Sequence, residues 1–323
     1  MYLVRVILTV LFVTGVSNAC AQDYPSRLVT IIVPYPAGGP TDQIARELAA
    51  RFSEKLNQNF VVENVSGGGT TIATGRVARA APDGYTLLLH NLQISANVAL
   101  YPHLGFDTER DLSPVGFINQ NPLVLTGRKS LAANTLGELI TLMKREVLRM
   151  AHPGTGSTGH LATSLFLKEL EVQAIQVPYR GAAPALQDLA GDHVDLLFAT
   201  PQSVLEQVAA GQIKAYGITA KQESPLFPKV ASLVAQMGPE LEILYWHALF
   251  VPGGTPGPVI DKLSEALQQV EEESAIVESW AATGVRPYPK DQRSPQAAQR
   301  LLHSEIARWA QVVLDNNIQP SGQ

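Results

Sequence analysis

The chain has 323 residues, 46% of them hydrophobic, and sets 24 lysines and arginines against 29 aspartates and glutamates for a formal charge of −5. That deficit of cations excludes nucleic-acid binding by phosphate neutralisation and gives no long-range field to steer an anion. A chain of this length and apolar content buries a core large enough to split into two domains, and its one cysteine leaves no disulfide framework.

Met1–Ala21 holds one cation, Arg5, an apolar run from Val6 to Val16, and small residues at Ala19 and Ala21, the make-up of an export signal cleaved before Gln22. The run is too short to span a membrane, which takes about 20 residues. Cys20 offers lipid attachment as an alternative, but Ser17 and Asn18 fit poorly before such a cysteine. Cleavage after Ala21 leaves a mature chain without a thiol, expected in the periplasm.

Leu28–Val33 then reads as a strand, and Ile44, Leu48, Phe52 and Leu56 fall on one helix face. Phe60–Glu63 is the next strand, Thr71–Ala81 a helix weakened by Gly75, and the Pro82-Asp83-Gly84 turn launches Tyr85–Leu89. Asp107, Glu109 and Asp111 crowd into what reads as solvated loop rather than an acid/base pair. A second series runs through strands at Leu123–Thr126, Val147–Ala151, Ala174–Val177, Val194–Phe198 and Lys214–Thr219. Its helices are expected at Leu136–Lys144, around Leu161, Leu165 and Leu170, at Pro184–Ala190 and at Gln202–Ala210. Leu244–Val251 turns apolar again, Val259–Val270 is helical, and Pro295–Leu314 carries Leu301, Leu302, Ile306, Trp309 and Val313 on one broad face. The alternation predicts an α/β fold of mainly parallel sheets flanked by helices. Residues 22–122 with 248–323 form one expected domain and 123–247 the other, with the terminal helix returning to the first and a cleft between them.

Three glycine-rich loops, Pro34–Asp42, Ser66–Thr71 and Gly154–His160, each follow a strand and open a helix. Helix starts present unpaired N–H groups and roughly half a positive charge, so glycines there let an anion reach the main chain. In the first loop the favoured donors are the amides of Ala37, Gly38 and Gly39 and the Thr41 hydroxyl, with Asp42 suited to capping. Gly154-Thr155-Gly156-Ser157-Thr158-Gly159 satisfies the dinucleotide pattern G-x-G-x-x-G, but the acid required about 20 residues later is missing from Ala174–Tyr179. Arg180 is the alternative partner for a 2′-phosphate. The anion reading of the same loop gives Ser157 and Thr158 as hydroxyl donors, with His160 capping or packing its helix. Ser66–Thr71 lacks the lysine of a nucleotide-triphosphate loop and is otherwise a flexible connection. Tyr179–Pro184 is a further strand-to-helix junction carrying Arg180, and Asn91 and Thr200 stand at other strand ends. No G-x-S-x-G, H-E-x-x-H or Cys/His cluster occurs in the sequence.

In their order, Pro34–Asp42, Val62-Glu63-Asn64 with its glycine loop, Ala81–Thr86, Gly154–Leu161, Val177–Gly181 with Pro184-Ala185-Leu186, and Gly191–Asp195 resemble the Bug family of periplasmic receptors. These are the substrate-binding components of tripartite tricarboxylate transporters, and the likeness covers Tyr24–Asn316. The resemblance implies a type II, Venus-flytrap periplasmic binding protein that closes on a small carboxylate. It implies Gly38, Gly39 and Thr41 facing Ser157 and Thr158, with contacts near Gly181 and Ala182 and from Asn91 and Thr200. Thr70 and Ala73 stand where the family has glycine, and His247 is also a departure. Ala199-Thr200 replaces an Asp-Asn type pair, which disfavours an amino acid as ligand.

The candidate ligand-binding set is therefore Tyr35, Ala37, Gly38, Gly39, Thr41, Asp42, Asn91, Ser157, Thr158, His160, Arg180, Gly181, Ala182, Thr200 and Trp246, with no catalytic residue, metal or cofactor. Tyr35, Tyr179 or Trp246 is expected to cover the apolar body of a di- or tricarboxylate or aromatic acid. The expected partners are the membrane subunits of a transporter or a sensor protein, with no nucleic acid, and the chain is expected to be monomeric. A nicotinamide-dependent oxidoreductase is the enzyme alternative, and a sensing receptor the other.

Overall fold

The computed structural model describes residues 24–319; the expected export signal and Cys20 lie outside them. The chain begins β1 (Val29–Val33), α1 (Pro40–Leu56), β2 (Phe60–Asn64), α2 (Thr71–Ala78), β3 (Thr86–Asn91), α3 (Gln93–Leu100) and β4 (Leu112–Pro122). There follow β5 (Val124–Arg128), α4 (Leu136–Met143), β6 (Leu148–His152), α5 (Thr158–Leu170), β7 (Ala174–Pro178) and α6 (Ala182–Ala190). Next come β8 (Leu196–Ala199), α7 (Pro201–Ala209), β9 (Ile213–Ile218), β10 (Ala231–Ser232) and α8 (Leu233–Met237). The chain closes with β11 (Leu244–Pro252), α9 (Gly257–Glu271), α10 (Ser274–Ala282), β12 (Arg286–Pro287) and α11 (Pro295–Asp315).

The strands form two six-stranded sheets, ordered β12-β4-β11-β3-β1-β2 and β10-β9-β5-β8-β6-β7. Each has a parallel part: β1 pairs with β2 and β3, and β6 with β7 and β8. The sheets are nonetheless more mixed than the sequence suggests. In the first, β11 runs antiparallel to β3 and β4; in the second, β5 runs antiparallel to β8 and β9. These are the strands by which the chain changes sheets. Leu123 alone separates β4 from β5, and β11 enters the first sheet at Leu244, ahead of the expected boundary at 247. A strand delivered by such a crossing does not need the helical crossover that a parallel neighbour requires.

α1 buries Ile44, Ala45, Leu48, Ala49 and Phe52, the face its four-residue spacing defined. α11 packs on α3 and β4, and its Ile306, Trp309 and Val313 join a core that includes Leu92, Ile94, Leu161 and Phe166, reaching both sheets. Inside that core the indoles of Trp246 and Trp309 both donate to Glu305 Oε2, at 2.8 and 3.0 Å. Removing the acceptor strands two buried donors at about 1–3 kcal/mol each. Glu305→Ala is therefore expected to destabilise by about 2–5 kcal/mol in urea unfolding, with Glu305→Gln, which keeps a carbonyl acceptor, losing much less. A loss below about 1 kcal/mol for the alanine variant would contradict the shared bond.

Candidate functional site

In a right-handed strand-to-helix unit the helix N-terminus returns to the carboxyl end of the strand, so several parallel strands deliver several helix starts to one edge. Here four such junctions meet at one cavity of about 100 Å³. β1 leads to α1 through Tyr35–Gly39, β6 to α5 through Pro153–Ser157, β7 to α6 through Arg180 and Gly181, and β8 to α7 through Thr200. The first belongs to the first sheet and the other three to the second.

The starts of α1, α6 and α7 have no side-chain cap, and Pro40 and Pro201 occupy their first turns in α1 and α7. First-turn N–H groups lack an acceptor four residues back in their own helix, although Pro40 and Pro201 have no N–H and Ser203 N already donates to Thr200 O at 3.0 Å. α5 is capped, Ser157 Oγ accepting from His160 N at 3.3 Å, which leaves the Ser157 proton available to a ligand. Gly181, at φ +120°, holds the start of α6 in a backbone conformation that side chains avoid. Thr158 Oγ1 is buried without a hydrogen-bond partner, and Thr200 Oγ1 lies 2.8 Å from Ser203 Oγ. No aspartate or glutamate lines the cavity, whose one cationic side chain is Arg180, exposed and without an ion pair among the described residues. Leu123, Leu186, Leu197, Phe198, Ala199 and several prolines make up the apolar wall.

The wall from the first sheet is a closed polar network. Asn91 Nδ2 donates to Thr41 Oγ1 at 3.2 Å and to Tyr245 OH at 2.9 Å, while Asn91 Oδ1 accepts from Tyr35 OH at 2.9 Å and Gln93 N at 3.0 Å. Burial, reinforced by His90, lowers the His247 pKa to about 3, so this imidazole is neutral. Its Nδ1 lies 2.8 Å from Asn119 Oδ1 and its Nε2 3.1 Å from Thr41 Oγ1. Thr41 lines the cavity with its hydroxyl within hydrogen-bond distance of Asn91, Tyr245 and His247.

Of the expected residues, Tyr35, Ala37, Gly39, Thr41, Asn91, Ser157, Thr158, Arg180, Gly181, Ala182 and Thr200 line this cavity. Gly38 and Asp42 lie behind the lining: Asp42 Oδ2 accepts from Gly38 N at 2.8 Å and Arg46 Nε at 2.9 Å, and Oδ1 from Asn64 at 2.9 Å. Burial alone raises the Asp42 pKa, but those bonds outweigh it and hold the carboxyl below its ordinary value. His160 also stays behind the loop, its Nδ1 accepting from Gly156 N at 3.0 Å and its ring stacked on His152. Trp246 is a correction: it points away from the cavity, to Glu305 and Phe117. Successive strand residues face opposite sides, so with Tyr245 and His247 on the cavity side Trp246 must face the core. Tyr245 lines the cavity instead, and so do Gln93 and Ser203. Tyr179 turns to Asp188 rather than the cavity lining. Ser66–Thr71 does not reach the cavity either. Gly69 O accepts from Gln93 and Asn97, and Thr70 Oγ1 from Asn97 at 2.8 Å.

Residues 44–318 match the profile of the tripartite tricarboxylate transporter family receptor. Among curated proteins, the chain is 34% identical to BugT of Bordetella pertussis over 297 residues, 91% of this chain and 90% of that protein. Among solved structures it resembles MatC from Rhodopseudomonas palustris with bound malate, at 34% identity and TM-score 0.84 over 90% of this chain and 100% of the other. It also resembles Rpa4515 of R. palustris with adipate, at 33% identity and TM-score 0.86 over 92% of this chain and 100% of the other.

Proposed function

The chain belongs to the tripartite tricarboxylate transporter receptor family, the Bug proteins, and from that premise we propose that it captures a small dicarboxylate outside the cytoplasm and hands it unchanged to a membrane transporter. The observation that carries this is the meeting of four helix starts around a cavity with no acid in its lining and Arg180 at its edge. Oriented main-chain amides solvate a carboxylate, and the apolar wall accepts the chain between two of them.

The structural neighbours support a diacid, since the two that are 34% and 33% identical to this chain carry malate and adipate. An amino acid fits less well, because its ammonium finds no carboxylate here and Asp42 is already paired with Arg46. The two sheets would then be the cores of two lobes joined at Pro122–Val124 and Leu241–Leu244, with cleavage after Ala21 releasing the mature receptor. A sensing receptor would use the same site and differ only in its partner.

Thermal shifts of the purified protein with malate, adipate, citrate, benzoate and aspartate test the proposal. Malate or adipate is expected to stabilise most; no shift with any acid would refute it. Arg180→Gln is expected to weaken a diacid by about three- to tenfold, with a smaller loss at high salt, because this exposed cation adds screened attraction to the main-chain donors. Loss of all binding would make Arg180 the principal anchor and contradict the main-chain account.

A further inference from the structure

The second glycine loop, Ser66–Thr71, has no place at the cavity, yet it fixes the residues on which the loop before α5 rests. Gly69 O accepts from Gln93 Nε2 at 3.2 Å and from Asn97 Nδ2 at 2.9 Å, tying both side chains of α3 in place. Tyr35 OH, its single proton shared between Asn91 Oδ1 at 2.9 Å and Gln93 Oε1 at 3.0 Å, flanks that amide from the other side. Thus oriented, Gln93 Nε2 reaches Thr155 O at 3.3 Å, a hydrogen bond from an element of the first sheet to the turn that opens α5. Gly156 follows at φ +75°, seated so closely that a Cβ there would stand 2.6 Å from Leu100 Cδ1.

We propose that Gln93, Asn97 and Leu100 form a landing pad for the Thr155–Gly156 turn, making Gln93 a positioning residue whose bond to Thr155 sets how long a captured anion is retained. This rests on the receptor reading, in which the two lobes separate to release ligand. The joint is weak by construction. Its hydrogen bond is long, and Asn97 Oδ1, which faces Gly156, is buried without a partner. Such a pad does not hold the lobes shut alone, so the bound anion decides the balance. Gly156 is required on two counts, since its φ of +75° disfavours any side chain and a Cβ there would also meet Leu100.

The test follows rate constants by stopped flow, using whichever acid of the thermal-shift panel stabilises most. Gln93→Leu is expected to speed dissociation roughly three- to tenfold and leave association within about twofold. Gly156→Ala is expected to weaken binding about tenfold or more, with Leu100→Ala added to it relieving only the clash, because the strain of a side chain at φ +75° stays. A glutamine that merely touched the ligand would leave amide exchange in the absence of acid unchanged. Amide hydrogen exchange without any acid gives a second readout: in Gln93→Leu, protection across Thr155–Leu161 falls if the pad exists. Unchanged dissociation and exchange in Gln93→Leu would overturn the pad. Absence of acid binding by the unaltered protein would instead overturn the receptor reading, leaving the exchange result to judge the pad.

Discussion

Replacing Ser157 by aspartate is expected to leave the protein as stable as before and to cost a hundredfold to a thousandfold in affinity for a dicarboxylate. Ser157 is the N-cap of α5, its Oγ accepting from His160 N, and aspartate caps about as well as serine. The fold therefore loses nothing, and the helix dipole even favours the added charge. The ligand meets a different site. At about 4 Å, and with an effective dielectric near 20, two like charges repel by about 4 kcal/mol, close to three decades in affinity. The aspartate also takes over helix N–H groups that a ligand would use, and it removes the Ser157 proton. Ser157→Asn separates these effects, because it keeps the cap without the charge. It should lose only a hydrogen bond to a charged group, about 1.5–3 kcal/mol. Calorimetric titration of both variants checks the pair; aspartate binding within about fivefold of the unaltered protein would mean that no anion sits at this helix start.

Acid should unfold this protein at a pH where most carboxylates are still ionised. Four imidazoles are deeply buried, and burial lowers each pKa: His90, His160 and His247 to about 3, and His152 to about 4. In the unfolded chain each returns to about 6.5. Below that value the unfolded state binds protons that the native state refuses, so stability rises with pH across this window. The full contribution is present above about pH 6.5 and is lost as pH falls toward the native values. At pH 5 each histidine forfeits on the order of 2 kcal/mol, a large fraction of the stability of an ordinary domain. Asp42 and Asp195, whose pKa values are held low because their Arg46, Arg149 and Arg128 partners outweigh the raising effect of burial, extend the loss at more acid pH. The midpoint of thermal unfolding is expected to be level from pH 8 to about pH 7 and to fall steeply below about pH 6. A midpoint that held constant to pH 4.5 would contradict the neutral, buried histidines. His247 ties this to the site, since its Nε2 lies 3.1 Å from Thr41 Oγ1 and a charge on this buried ring would disturb the wall of the first sheet.

The parts of the fold with a clear period were legible before any coordinates. α1 announced itself through Ile44, Leu48 and Phe52, and β1 through an unbroken apolar run, because each buries one consistent face. α3 gave no such signal. Its buried residues include Gln93, Ser95 and Asn97 together with Ile94, Ala96 and Leu100, so it has no polar face to set a period. β4 was masked for another reason, since Pro114, Gly116, Asn119 and Asn121 break the composition expected of a strand while its neighbours bury it. The antiparallel course of β5 and β11 follows from where the chain changes sheets, which no local pattern records.

At the site, glycine loops pointed correctly to helix starts but not to which of them converge. The first and third loops meet at the cavity; the second lies behind, and its place is taken by the Arg180–Ala182 junction and the start of α7. Of the aromatic residues expected over the ligand body, Tyr35 lines the cavity, while on β11 strand alternation puts Tyr245 there in place of Trp246. The hydrogen bond between Thr41 and His247 joins residues 206 positions apart and could be read only from the folded chain.

The most direct measurement is a crystal structure of the protein with malate or adipate in the cavity. The account predicts carboxylate oxygens at about 2.7–3.1 Å from main-chain N–H groups at the starts of α5 and α6 and of at least one of α1 and α7, with the Ser157 hydroxyl donating. A ligand held by Arg180 and other side chains alone, with those amides facing only water, would contradict it.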